Sequence, residues 1–295
     1  MTEGRPTAGG RAAAVLAWGD AHLRALPWRA TRDPWAVLVS EVMAQQTGVD
    51  RVVGYYHAFL GRFPTAAACA AAPAGEVVRS WAGLGYNRRA VNLHRCARAV
   101  VARHGGDLPA DLGALLALPG IGPYTARAVL AFAFERPVGV VDTNVGRVLA
   151  RWEGRSLRPA EAQALADGLV PPSGPRSWAW NQALMELGGT VCRRRRPRCA
   201  ECPARAGCGW AAAGLAAPDP ADGSAGVSTG QPRFEGSDRQ GRGRLVEALC
   251  RGPVPLAEVA AVMGWPGDPS RADRVAVGLL DDGLAVKDGA RLRLP

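Results

Sequence analysis

The stretch Leu118-Pro119-Gly120-Ile121-Gly122-Pro123-Tyr124, with Asp142 eighteen positions past Tyr124, decides how this chain reads. Two glycines one residue apart, between helix-compatible segments, predict a tight hairpin whose backbone N–H groups are unobstructed. Pro123 suits the first position of the following helix, where its missing N–H would have no partner anyway. A helix start fronted by bare backbone donors attracts phosphate. That helix runs from Thr125 to about Phe134, and Arg136-Pro137 stops it. Val138-Gly139-Val140-Val141 then delivers Asp142 to the start of another helix. A carboxylate beside a phosphate-gripping hairpin points to chemistry on nucleic acid, although most glycine-rich turns only connect helices.

The chain around this stretch has 295 residues, a length that suits two domains and a small third. Its apolar fraction of 48% supports substantial cores. No apolar run reaches membrane-spanning length, and the N-terminus MTEGRPTAGG does not read as a signal peptide, so a soluble, cytoplasmic, nucleoid-associated protein is expected. The formal charge of +10 calls for a polyanionic partner. Nearly all the positive charge is arginine, and the single lysine is Lys287. An arginine bias can reflect nucleotide composition alone.

Residues 1–10 read as a disordered tail, and a helix follows from Arg11 to about Leu26. Asp33-Pro34 supplies an N-cap and a first-turn proline for a helix from Trp35 to about Thr47. Glu41 lies on that helix with Val37, Leu38, Ala44 and Gln45 as its neighbours. If buried there, its carboxyl would be pushed towards neutrality and could donate a proton at physiological pH. An ordinary solvated glutamate fits the same sequence. Further helices are predicted over 49–61, 74–83 and 88–104. Between the last two, Gly83-Leu84-Gly85-Tyr86 forms a tight turn whose Leu84 and Tyr86 could wedge into a base stack or anchor the loop to the core. Beyond Asp142, helices are predicted over 145–152, 159–169 and 178–187. Residues 213–238 are rich in Ala, Gly, Pro and Ser without periodicity and read as a linker. Three short helices and a β-hairpin turning at Asp288-Gly289 make 239–295 a winged-helix-like module.

Four of the seven cysteines, Cys192, Cys199, Cys202 and Cys208, fall within seventeen residues. An odd total in a cytosolic-looking chain argues for a metal site over disulfides. The cluster contains no histidine, and thiolate-only ligands suit zinc or an iron–sulfur cluster; a single C-x2-C pair departs from the paired knuckles of zinc ribbons. Arg193, Arg194, Arg195, Arg196 and Arg198 lie between the first two cysteines and would offer phosphates a basic loop; a solvated charge run is the plainer reading.

Taken together, the hairpin, the aspartate and the C-x6-C-x2-C-x5-C spacing resemble the helix–hairpin–helix, endonuclease III superfamily of DNA glycosylases. Pro27-Trp28-Arg29, Ser40 to Thr47 (SEVMAQQT), Gly83-Leu84-Gly85-Tyr86 and Leu184-Met185-Glu186-Leu187-Gly188 resemble its adenine DNA glycosylase (MutY) branch. The resemblance covers about 12–210. It implies a mainly α, two-lobed fold over 11–212, with a helical lobe at 35–135 and an iron–sulfur lobe made of 11–34 and 136–212, in which the four clustered cysteines hold a 4Fe–4S cluster. Glu41 and Asp142 would face each other across a groove between the lobes.

The activity implied is removal of adenine mispaired with 8-oxoguanine or guanine in double-stranded DNA, by a monomer. Glu41 would protonate adenine N7 and Asp142, with Asn144 near it, would stabilise the oxocarbenium-like sugar. As a plain helix N-cap Asp142 would need no such role, and one aspartate can do both. Tyr124 stands where lyase-capable relatives carry a Schiff-base lysine, which implies base release without strand cleavage. Arg24, Trp28, Arg29 and Glu186 would line the adenine pocket, although Trp28 could equally be core. Gln45 or Gln46, with Leu84 and Tyr86, would fill the vacated stack, and Gly120 and Gly122 would meet a phosphate. Two departures stand out. Asn87 occupies a position that is often aromatic, and the small C-terminal module takes the place of the nudix-like domain with which many members read 8-oxoguanine. A thymine/uracil mismatch glycosylase of the same superfamily and a non-catalytic iron–sulfur DNA-binding protein are the competing readings.

Overall fold

The computed structural model describes residues 8–224 and 233–295. The chain is mainly helical, and its described residues form two compact units, one from 8–32 and 123–224 and the other from 33–122 and 233–295. The division falls inside the glycine hairpin, at Pro123, and not after 135 as the resemblance implied. The predicted tail at 1–7 and the centre of the predicted linker, 225–232, lie outside the described residues. Residues 8–10, expected in the tail, already belong to the first helix, Ala8–His22.

In the first unit the N-terminal helix packs along Gly174–Thr190, which in turn packs on Thr143–Glu153. Their core gathers Val15, Val145, Val148, Leu149, Trp180, Leu184 and Leu187. Gly19 permits the first of these contacts, since a Cβ there would stand 2.6 Å from the Ala183 Cβ. The early part of the predicted linker is not a linker. Ala221 is buried, the Ser224 hydroxyl accepts from the Leu157 N–H at 3.1 Å, and Asp219 pairs with Arg151. Absence of periodicity hid a segment anchored by polar contacts rather than by an apolar stripe.

The second unit is built around Pro34–Ala44, a helix buried from Trp35 through Met43. Asp33 caps it by accepting from the Trp35 N–H at 3.0 Å, and Pro34 opens it, as the sequence indicates. It ends at Ala44, three residues before the predicted end, because Gln46 takes the left-handed conformation at φ 58°. A short helix at Ala66–Ala71, not anticipated, packs against Arg88–His104.

Residues 233–295 belong to this same unit and do not form a separate domain. Asp238–Arg251 packs on Ala74–Trp81, the Arg79 Nε donates to the Cys250 carbonyl at 3.3 Å, and the Gly75 N–H donates to the Pro295 carbonyl at 2.9 Å. Gly75 is needed for this fit, since a Cβ there would stand 2.6 Å from the Pro295 oxygen. The predicted hairpin is present as β2 (Val286–Asp288) and β3 (Arg291–Arg293), with Gly289 in its turn at φ 55°. An additional strand, β1 (Val254–Pro255), pairs antiparallel with β3 and gives the order β1-β3-β2. Two residues, one of them proline, are too short a run to announce a strand.

Candidate active site and cysteine loop

Glu41 lies on the buried Pro34–Ala44 helix and is only 8% exposed. The plain reading of a solvated glutamate therefore does not hold. Glu41 shares that burial with every residue of the helix from Trp35 to Met43, a setting compatible with general-acid chemistry.

Downstream of Glu41 the chain makes two strained turns that a single arginine holds together. Gln46 and Tyr86 are non-glycine residues at positive φ, 58° and 50°. Arg89, 8% exposed, donates through Nη1 to the carbonyls of Val42 and Met43, each at 2.8 Å, and of Gln45 at 2.5 Å. Its Nη2 donates to the Thr47 hydroxyl at 3.1 Å and the Gly85 carbonyl at 3.0 Å. Burial pulls its pKa down to about 10, against a small upward pull from Tyr86. Strain of this kind persists only where the surroundings over-determine it, and it gathers at functional sites. Sequence reasoning missed Arg89, whose only signal was an arginine as the second residue of a helix behind a glycine-rich loop.

The two wedge candidates separate. Leu84 is 4% exposed and anchors its loop in the core, so it does not present a wedge, whereas Tyr86 is 43% exposed and Gln46 is exposed beside it. The hairpin glycines also differ. Gly120 has φ 77° and its Cβ would meet Asn92 at 2.7 Å, so the fold itself requires glycine there. Gly122 faces open space, and no protein atom explains its lack of a side chain.

In the first unit Asp142 caps the Thr143–Glu153 helix. Its Oδ1 accepts from the N–H groups of Asn144 at 2.9 Å and Val145 at 2.7 Å, and its Oδ2 accepts from the Asn144 amide at 2.8 Å. Burial pushes the Asp142 carboxyl above the ordinary carboxylate value, against these donors and nearby Arg147. The Asn144 side-chain Oδ1 accepts from Arg147 Nη2 at 2.8 Å, and Arg147 also donates to the backbone carbonyls of Gly188 at 2.6 Å and Cys192 at 2.7 Å. The chain from Asp142 through Asn144 and Arg147 thus reaches the first cysteine of the loop. Gly188 lets Asn144 approach, since a Cβ there would stand 2.7 Å from the Asn144 Cβ. Tyr124, half-buried, opens the preceding helix Pro123–Phe132.

Arg24, Arg29 and Glu186 converge. Glu186 Oε1 accepts from Arg24 Nε at 2.5 Å and its Oε2 from Arg29 Nη2 at 2.7 Å, while Arg29 Nε donates to the Gln182 side chain at 2.8 Å. The Glu186 side chain has no exposed surface, so it orients the two arginines and does not itself line an open pocket. Trp28 is half-buried in the short Pro27–Arg29 turn of helix.

Cys192, Cys199, Cys202 and Cys208 are free thiols lining one small pocket in the first unit. Arg151 donates to Cys192 Sγ at 3.3 Å and to the carbonyls of Arg193 at 2.9 Å and Arg194 at 3.3 Å. Asp219 fixes that guanidinium at 2.5 Å. Burial raises all four thiols, Cys202 to about 11, so neutral water alone would leave them protonated. Among the described residues no three His, Cys, Asp or Glu already stand at the coordination distance of one ion. The donor set nevertheless suits a thiolate-bound cluster, with a buried arginine poised to donate to a sulfur. Arg193, Arg194, Arg195, Arg196 and Arg198 are all exposed on the loop this arrangement ties down.

Comparison with known proteins agrees with this geometry. Residues 39–172 match the HhH-GPD superfamily base excision DNA repair protein family. The chain is 43% identical over 274 residues to an adenine DNA glycosylase of Mycolicibacterium smegmatis, covering 92% of this chain and 90% of that protein. It is 42% identical to an adenine DNA glycosylase of Mycobacterium tuberculosis, over 95% of this chain and 92% of the relative. These alignments run into the C-terminal residues. Among solved structures, a thermostable thymine-DNA glycosylase superposes with a TM-score of 0.64 at 29% identity, covering 70% of this chain and 99% of that one.

Proposed function

The chain belongs to the adenine DNA glycosylase family, enzymes of base excision repair, and from that premise we propose that it hydrolyses the N-glycosidic bond of adenine opposite 8-oxoguanine or guanine. The observation that carries this reading is the burial of Glu41. Its carboxyl protonates adenine N7, so that the base leaves neutral as the bond to C1′ breaks. Asp142, ionised and held by three N–H donors, offsets the positive charge that develops on the sugar. Water then adds to C1′ and loses a proton, leaving an abasic site. Tyr124 has no amine with which to form a Schiff base, so the strand stays uncut. The enzyme acts on duplex DNA as a monomer in the cytoplasm.

Cys192, Cys199, Cys202 and Cys208 would hold a 4Fe–4S cluster, which supplies the covalent cross-link that folds the arginine loop. Arg151 and Asp219 brace that loop, and its exposed arginines meet phosphates. Gln45, Gln46 and Tyr86 occupy the gap left by the flipped adenine, Gly120 and Gly122 carry the phosphate-facing hairpin, and Arg24 and Arg29, aligned by Glu186, face the base. Trp28 flanks them.

The likeness to a thymine-DNA glycosylase keeps one competing substrate class in view, and Glu41 separates the two, because a pyrimidine has no N7. A Glu41→Gln variant tests the assignment by single-turnover release of adenine from an A:8-oxoguanine duplex. The expected result is a rate reduced roughly 10²–10⁴-fold with the fold retained. Full activity in that variant would transfer the assignment to the pyrimidine branch.

A further inference from the structure

The passage from Val138 to Val141, which delivers Asp142, is neither helix nor strand. Its peptide groups nevertheless alternate as those of a strand between two neighbours do. On one side Asn181, 1% exposed, stands in for a neighbour: its Oδ1 accepts from the Val140 N–H at 2.9 Å and its Nδ2 donates to the Val138 carbonyl at 3.0 Å. One turn earlier on the same helix, Gly174–Thr190, the Ser177 hydroxyl donates to the Arg136 carbonyl at 3.1 Å. On the other side Asp167 Oδ1 accepts from the Gly139 N–H at 2.8 Å, and Gln163 Nε2 donates to the Gly139 carbonyl at 3.0 Å. We propose that Asn181 and Asp167 are positioning residues for Asp142, which between them set where its carboxylate stands. The proposal rests on the adenine-excision reading, which gives Asp142 its part in the reaction.

Backbone polar groups taken out of water have to find partners. Here the Val138 carbonyl, both groups of Gly139 and the Val140 N–H find them in side chains borne by two helices. Each support is itself fixed. The second hydrogen of the Asn181 amide goes to the Ser177 carbonyl at 3.0 Å, so the amide cannot turn away. Arg127, on the helix Pro123–Phe132, donates to Asp167 Oδ1 at 2.8 Å. Gly139 lets the passage lie close to the helix that carries Asp167, since a Cβ there would stand 2.7 Å from the Ala166 backbone carbon. Beyond the passage, the Asp142 carbonyl accepts from the Gly146 N–H at 2.9 Å, the first bond of its helix. Asp142 is thus fixed from its own helix on one side and from Asn181 and Asp167 on the other. A reacting group misplaced by about 1 Å can cost roughly 10²-fold in rate. Neither support is among the residues assigned above to DNA or to the base, so their loss acts on the chemical step and leaves DNA affinity in place.

The test is made on the full chain. The Asp167 side chain is 39% exposed, so replacing it does not empty the core. Asp167→Ala removes the acceptor for the Gly139 N–H, whereas Asp167→Asn keeps an oxygen in its place. Single-turnover adenine release is measured on a duplex with adenine opposite 8-oxoguanine, and affinity by fluorescence anisotropy on the same duplex carrying an uncleavable 2′-fluoro-adenosine. Asp167→Ala is expected to release adenine about tenfold more slowly with affinity kept within about twofold, and Asp167→Asn to recover the rate to within about threefold of wild type. Asn181→Ala is expected to slow release at least as much; should it fail to fold, the Asp167 pair decides. Hydrogen exchange without DNA is expected to show the amides of Gly139 and Val140 opening faster in Asp167→Ala than in wild type or Asp167→Asn. An unchanged rate in Asp167→Ala, an equal loss in Asp167→Asn, a fall in affinity that matches the fall in rate, or unchanged exchange overturns the proposal. A wild type that released no adenine would instead refute the excision reading and the role drawn from it.

Discussion

Asp142 carries two duties that pull against each other. As an N-cap it stabilises the start of Thr143–Glu153, yet burial raises its pKa above the ordinary value. A carboxyl with a higher pKa folded than unfolded costs stability once the pH exceeds the folded value, and that cost vanishes below the unfolded value of about 3.9. Asparagine caps a helix about as well as aspartate. Asp142→Asn is therefore expected to melt no lower than wild type at pH 8, with the difference closing as the pH falls towards 3, while adenine release drops roughly 10²-fold or more. Melting curves across pH and single-turnover rates check both parts. A variant that lost stability at pH 8 in step with its activity would make Asp142 a structural cap only. The capping position of this aspartate was legible in the sequence, which places it at the start of a helix. Its buried environment was not, because Gly188 and Cys192 hold Asn144 and Arg147 beside it through tertiary contacts that no spacing announces.

Elements show the same division between local and long-range information. The cap and proline of the Pro34–Ala44 helix, the extent of Arg88–His104 and the β2–β3 turn follow from local chemistry and were readable in advance. The early end of Pro34–Ala44 was not, because it depends on Arg89, more than forty residues away, drawing the carbonyls of Val42, Met43 and Gln45. Likewise residues 213–224 read as linker, yet Asp219 and Ser224 dock them to partners far along the chain. Replacing Arg89 by methionine keeps most of the volume and leaves those carbonyls without their donor. We expect a loss of about 3 kcal/mol in urea unfolding, with adenine release reduced because the Gln46 and Tyr86 turns lose their common staple. An unchanged midpoint and rate would mean that the turns hold themselves.

At the scale of the whole molecule, each unit is braced by a buried arginine: in the first, Arg147 backs Asp142 through Asn144, and in the second, Arg89 holds the backbone that follows Glu41. The cysteine loop continues the network from Asp142, so the cluster it would hold bears on the active site through Arg147 and Cys192. Protein isolated without oxygen is expected to show iron–sulfur absorption, and Cys202→Ser to lose it together with DNA affinity and thermal stability. Retention of the absorption in that variant would remove Cys202 from the ligand set. The C-terminal module, readable as a winged-helix-like fold, could not be placed from sequence, since Gly75 and Arg79 give no local sign of the surface they meet. The most direct test of the account is single-turnover base release from duplexes with adenine opposite 8-oxoguanine, guanine or cytosine, and thymine opposite guanine, with strands read before and after alkali. The account predicts adenine loss opposite 8-oxoguanine and guanine, with breaks only after alkali. Loss of thymine alone, or breaks before alkali, would contradict it.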